Sequence, residues 1–85
     1  MQDTTTTHQT TRYNGTRTDH LGFTKDYYTT TLGGVTYDVR RDVHPDHGTG
    51  YVIKGMDDYG DTYSVHHGTD LGKSIIAKVL ADTTP

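Results

Sequence analysis

Histidine is the residue type whose spacing in this chain most suggests chemistry. His44 and His47 are separated by two residues in a turn-rich stretch, and His66 and His67 are adjacent further along. Neutral imidazole binds zinc, and a structural zinc site needs four ligands. Adjacent strand residues point to opposite faces, so only one of His66 and His67 can join the other two. Because the chain has no cysteine, we predict solvated loop histidines and no cofactor; a metal-binding module on His44, His47 and His66 is an alternative.

Carboxylates give the second set of candidates. Asp57, Asp58 and Asp61 lie close together, but the chain has no Glu and lacks the twelve-residue calcium loop that ends in one. Asp46 beside His47 resembles half of an acid–base pair, without a nucleophile. A small core leaves little room for a cleft of roughly 300 Å³ or more. We therefore predict a protein that is not an enzyme and has no catalytic residues.

Composition limits the possible classes further. The 85 residues are enough for one domain, and only 29% are hydrophobic, against roughly 45–50% for globular chains when Gly is included. No apolar run is long enough to cross a bilayer, so we expect a cytoplasmic protein without membrane contact. The net charge of −3 comes from eight basic residues and eleven acids. Direct nucleic-acid binding is therefore not expected, because it normally needs a basic surface.

The first part of the chain is predicted to be a tail. Residues 1–20 are rich in Thr and almost free of apolar side chains, so they bury too little surface to offset the entropy of ordering. The alternative is a strand that is added when a partner binds. Residues 21–82 form the predicted domain, and 83–85 a frayed end.

Two hairpins and a helix are predicted in the domain. Residues 25–32 and 35–43 flank Gly33-Gly34, which tolerate the positive φ of a type I′ turn, and the second strand alternates apolar and polar residues. Residues 50–56 and 62–67 flank Asp58-Tyr59-Gly60, a second turn. Residues 70–82 follow as a helix with an apolar stripe.

The expected fold is therefore α+β, a four-stranded antiparallel sheet with one C-terminal helix on one face, in the order β-β-β-β-α. A helix with one apolar stripe must bury that stripe, and the sheet is the apolar surface nearest to it. The predicted core residues are Tyr28, Leu32, Val35, Tyr37, Val39, Tyr51, Ile53, Tyr63, Val65, Leu71, Ile75, Val79 and Leu80.

The ending of the chain resembles that of small phage and mobile-element proteins. The hairpin-then-helix stretch runs from Gly50-Tyr51-Val52-Ile53 through Asp58-Tyr59-Gly60-Asp61 to Leu71 and Leu80. In build and size it is similar to several anti-CRISPR proteins. The resemblance covers residues 50–82 and implies an accessory protein that occludes a surface of a larger host protein or ribonucleoprotein.

One helix covers only one side of such a sheet, so the other side is predicted to bind a partner. We expect a small protein-binding module, an inhibitor of anti-CRISPR-like type, that is a monomer or a weak homodimer. The alternatives are a nucleic-acid-associated regulatory protein and the metal-binding module. Tyr, Arg and Met are enriched at interfaces, and the predicted partner-binding residues are Tyr27, Arg40, Val52, Lys54, Met56 and His66.

Overall fold

A computed structural model describes residues 10–84 as one antiparallel sheet and one helix. The predicted tail residues 1–9 and Pro85 lie outside the described residues. The five strands are hydrogen-bonded in chain order, so each pairs with the strands before and after it. The elements are β1 (Arg12–Thr18), β2 (Thr24–Leu32), β3 (Val35–His44), β4 (Gly48–Met56), β5 (Thr62–Val65) and α1 (Asp70–Thr83).

The α+β class, the two predicted hairpins and the C-terminal helix are confirmed. Gly33 and Gly34 have φ of 61° and 80°, as a type I′ turn requires of both central residues. Gly60 has φ of 84° and closes the turn before β5. The loop predicted between His44 and Gly50 is shorter than expected, because His44 already pairs with Gly48.

The prediction of four strands is wrong, because β1 forms from residues assigned to the tail. Its residues are polar, and it is held to β2 by side-chain hydrogen bonds as well as by the backbone ladder. Asn14 donates to Thr29 Oγ1 at 2.8 Å, and Thr16 donates to Asp26 Oδ1 at 2.5 Å. A strand that is stabilised mainly by hydrogen bonds to its neighbour needs few apolar residues. The composition of this segment therefore indicated disorder although the segment forms a strand.

The hydrophobic core lies between α1 and the sheet. Ile75 and Val79 are buried against β2, β3 and β4, where Tyr28, Val39 and Ile53 are also buried. Thr69 caps the helix, since its side chain accepts from the backbone N–H of Gly72 at 3.0 Å. Burial of Tyr28, Tyr37, Val39, Ile53, Ile75 and Val79 confirms six of the predicted core residues.

Three predicted core residues are more exposed than expected. Leu71 is 42% exposed and Leu80 is 39% exposed, because they flank the buried stripe. Ile76 packs against the core in their place. Tyr63 lies on the edge strand β5 with its ring across Gly55, where 39% of it stays exposed.

A polar chain of contacts fixes the end of α1 to the sheet. Thr30 is fully buried, and its hydroxyl is 2.6 Å from that of Thr11. Thr11 donates to Asp82, which also accepts from Lys78 Nζ at 2.7 Å. Because a carboxylate only accepts, the Thr11 proton goes to Asp82, and Thr30 must donate to Thr11. The network therefore joins β2, the residue that precedes β1, and α1.

Candidate functional site

The sheet has one face covered by α1 and one face without any element over it in residues 10–84. Tyr27 pairs with Arg40, and Arg40 with Val52, so these side chains share one face. Their strand neighbours Tyr28, Val39 and Ile53 are in the core, which places Tyr27, Arg40 and Val52 on the uncovered side. We call this side the open face.

A groove crosses the middle of the open face. Tyr27, Arg40, Val52 and Lys54 line it, and its volume is about 260 Å³. These are four of the six residues predicted to bind a partner, and three adjacent strands bring them together. The groove is below the size usual for a small-molecule pocket, and it is shallow, so its shape suits a protruding side chain of a macromolecule.

Two further depressions adjoin the groove. Arg17 lines one of about 380 Å³ together with Asn14 and Tyr27. Met56 lines the other, of about 220 Å³, and shares Lys54 with the central groove. Shared lining residues make the three depressions neighbours from β1 to β5. The fifth predicted residue, Met56, is therefore on the open face, next to the groove rather than in it.

His66 follows β5 and does not line these depressions. Its Nδ1 accepts from the backbone N–H of Gly68 at 3.0 Å, and its ring stacks on His67 with centroids 4.5 Å apart. Its carbonyl accepts from the Thr69 hydroxyl at 2.8 Å. His66 thus shapes the turn that leads into α1, and the structure does not bring it together with the other five.

Arg40 is engaged within the open face itself. Its guanidinium binds both oxygens of Asp42, at 2.8 and 2.9 Å. The hydrogen bonds to Asp42 raise the pKa of Arg40 above its usual value. Because this bidentate pair holds the side chain in one geometry, Arg40 contributes a fixed wall of the groove.

His44 and His47 lie at the other end of the sheet from the β2–β3 turn. The rings of His44, His47 and Phe23 are in contact, with the two histidine centroids 4.4 Å apart. His44 Nδ1 accepts from the backbone N–H of Asp46, so its Nε2 donates to the carbonyl of Leu21. Both nitrogens are therefore occupied. Within residues 10–84 no three His, Cys, Asp or Glu side chains form a metal-binding group.

Sequence reasoning missed the contribution of β1. Asn14 and Arg17 line depressions on the open face, but both lie in the segment interpreted as tail. The alternation of β1 is interrupted by a bulge between Tyr13 and Gly15, which hides the strand pattern. Thr at two of the seven positions of β1 was the available signal, since Thr favours strands.

No family model, no curated protein and no solved structure matches this chain. Inference about function therefore depends on the geometry of the open face. In the part of the chain that the structure describes, α1 lacks the length and apolar character of a membrane-spanning helix.

Proposed function

We propose that this protein is a non-enzymatic binding module that docks a partner protein on the open face of its sheet. The observation that carries the proposal is the groove between Tyr27, Val52 and Lys54 on a face that no described element covers. A surface that mixes exposed apolar and charged side chains is typical of protein interfaces.

Docking of this kind acts by occupying space. A partner seated across the sheet contacts side chains that the strands present, so docking does not depend on the loops. Occlusion of a larger host complex, the mode implied by the resemblance to small phage proteins, needs no chemistry from the bound module. The groove at the centre of the open face can accept one anchoring side chain of the partner, and the polar residues around the groove would form the rim of the interface.

A homodimer is the second possible occupant of this face. In a two-fold dimer, a residue on the axis of the interface meets its own copy. Arg40 and Lys54 lie in the middle of the face, so many such arrangements bring like charges together. We therefore propose a monomer or a weak dimer that binds a different partner.

The test is the double variant Val52→Asp with Met56→Asp. Both side chains are exposed, so the circular dichroism spectrum and melting curve should be retained. Capture of the partner from a lysate of the source cell should be lost, as measured by quantitative mass spectrometry. Light scattering on the same samples reports whether self-association is lost instead.

The matched control is Leu21→Asp with Tyr59→Asp. These apolar side chains are also exposed, lie in turns and outside the groove and its two neighbouring depressions, and undergo the same change of charge. The control should capture the same proteins as the wild type. Equal capture by the open-face variant and the wild type would contradict the proposed function.

A further inference from the structure

The cations of this acidic chain are concentrated on the open face. The chain has eight Lys and Arg residues and a net charge of −3. By register with Tyr27, Arg40 and Val52, the open face carries five of the eight, with two Asp residues beside them. The five cations are Arg12, Arg17, Lys25, Arg40 and Lys54, and the two acids are Asp38 and Asp42.

The bulge in β1 produces part of this concentration. Arg12 and Arg17 are five positions apart, so a regular strand would point them to opposite faces. The register shifts between Tyr13 and Gly15, and as a result Arg12 pairs with Thr29 while Arg17 pairs with Lys25. An extra residue in one strand changes which face the following side chains take. Both arginines therefore lie on the open face.

Three of the five cations are available to a partner. Arg40 is paired with Asp42, and Lys25 Nζ lies 3.4 Å from Asp19. Among the described residues, no carboxylate lies within ion-pairing distance of the side chains of the other three. These three are Arg12, Arg17 and Lys54.

Their separation defines the size of what binds them. Arg17 on β1 and Lys54 on β4 are three strand spacings apart across the sheet, or about 14 Å. By register Arg17 is level with Gly50, so the two cations are also four residues, or about 13 Å, apart along the strands. A single small anion does not span that distance, whereas a macromolecular surface does. The groove between Tyr27 and Val52 lies between the two cations.

We propose that the partner presents a carboxylate-rich protein surface, with an aliphatic side chain that fills the groove between Tyr27 and Val52. This inference rests on the proposed function and specifies the chemistry of its partner. Nucleic acid fits the face less well. Asp38 and Asp42 would meet phosphates. Tyr27 and His44 are the two aromatic rings that the described strands place there by register, and they lie four residues apart along the sheet, or about 13 Å, whereas single strands bind to successive stacking platforms.

The test is a titration of the full-length, ¹⁵N-labelled protein with three peptides of equal length. The peptides share the same leucines and carry Glu, Gln or Lys at their polar positions. The Glu peptide should shift the backbone amides of Tyr27, Arg40 and Val52, more strongly at low than at physiological ionic strength. Lys54→Glu should weaken this binding by about three- to tenfold.

Lys73→Glu is the control, because Lys73 is exposed on α1 and its replacement changes the net charge equally. It should leave the affinity for the Glu peptide unchanged. Equal losses in the two variants would mean that net charge, and not the open face, attracts the peptide, and would overturn the inference.

The remaining outcomes separate this inference from the proposed function. Equal binding of the Gln and Glu peptides on the open face would overturn the charge inference and leave the proposed function standing. If no peptide shifts the open face, the charge inference fails, and the capture experiment with Val52→Asp and Met56→Asp decides the proposed function by itself. Tighter binding of oligothymidine on the same face would overturn the choice of a protein partner.

Discussion

The two faces of this sheet are built from the same strands and carry different kinds of side chain. On β4, Ile53 is 1% exposed under α1, and its neighbour Val52 is 36% exposed on the open face. The covered face contains almost all of the buried apolar side chains, and the open face contains most of the cations. Because strand residues alternate, a small domain can assign stability to one face and recognition to the other.

Gly72 on α1 is the position outside the hydrophobic core at which we expect a substitution to change stability most. A Cβ on Gly72 would lie 2.2 Å from the carbonyl oxygen of His66. Ala normally favours a helix over Gly by about 1 kcal/mol, so helix propensity alone would favour Ala at position 72. In the structure the packing at this position leaves no space for a Cβ. We therefore expect Gly72→Ala to lower the free energy of unfolding by about 1–3 kcal/mol.

Gly50→Ala makes the same change on the open face. A Cβ there has no atom within 4 Å, so the stability should change by less than about 0.5 kcal/mol. Urea denaturation of the two variants measures the difference. A Gly72→Ala protein as stable as Gly50→Ala would mean that α1 does not approach the β5 end closely.

A smaller effect is expected at the other end of α1. Hydrogen bonds from Lys78 and Thr11 hold the pKa of Asp82 below its usual value. We expect Asp82→Asn to lower the free energy of unfolding by about 1 kcal/mol near neutral pH. A carboxylate whose pKa is lower in the folded than in the unfolded state stabilises the fold fully at pH values above its unfolded-state pKa. This stabilisation is lost as the pH falls through its folded-state pKa. The difference from wild type should therefore shrink as pH falls below about 4 and disappear below the lowered folded-state pKa of Asp82.

Asp38→Asn is the counterpart of that substitution on the open face. Asp38 has one weak side-chain contact, from the Thr29 hydroxyl at 3.4 Å. Its replacement should change the unfolding free energy by less than about 0.5 kcal/mol at neutral pH. Unfolding free energies of both variants across the acid range check the prediction, and a pH-independent loss in Asp82→Asn would exclude the ionised carboxylate as its cause.

The parts of the fold that depend on local pattern could be predicted from the sequence. The alternation from Val35 to Val43 assigns the faces of β3, and the Gly33-Gly34 pair marks its hairpin. The faces of Tyr27, Arg40 and Val52 follow from the same period of two. What the sequence did not reveal depends on contacts between distant residues.

Three such contacts explain the errors. The polar strand β1 exists because β2 pairs with it, and its own residues bury little. On α1, Gly72 is packed on the backbone of His66 with no room for a Cβ, and Leu71 and Leu80 lie at the flanks of the buried stripe. The concentration of cations depends on register, including the bulge that turns Arg17 to the open face.

The central claim, that one face is the core and the other is free to bind, is tested most directly by placing one charge on each side of β4. The measurement is thermal denaturation of Ile53→Asp and Val52→Asp, followed by circular dichroism. Ile53→Asp buries an unpaired charge and should cost about 3–5 kcal/mol, enough to unfold much of so small a domain. Val52→Asp should melt within a few degrees of the wild type, since about 1 kcal/mol corresponds to roughly 4–8 °C. Unfolding of Val52→Asp, or equal melting of the two variants, would contradict the account.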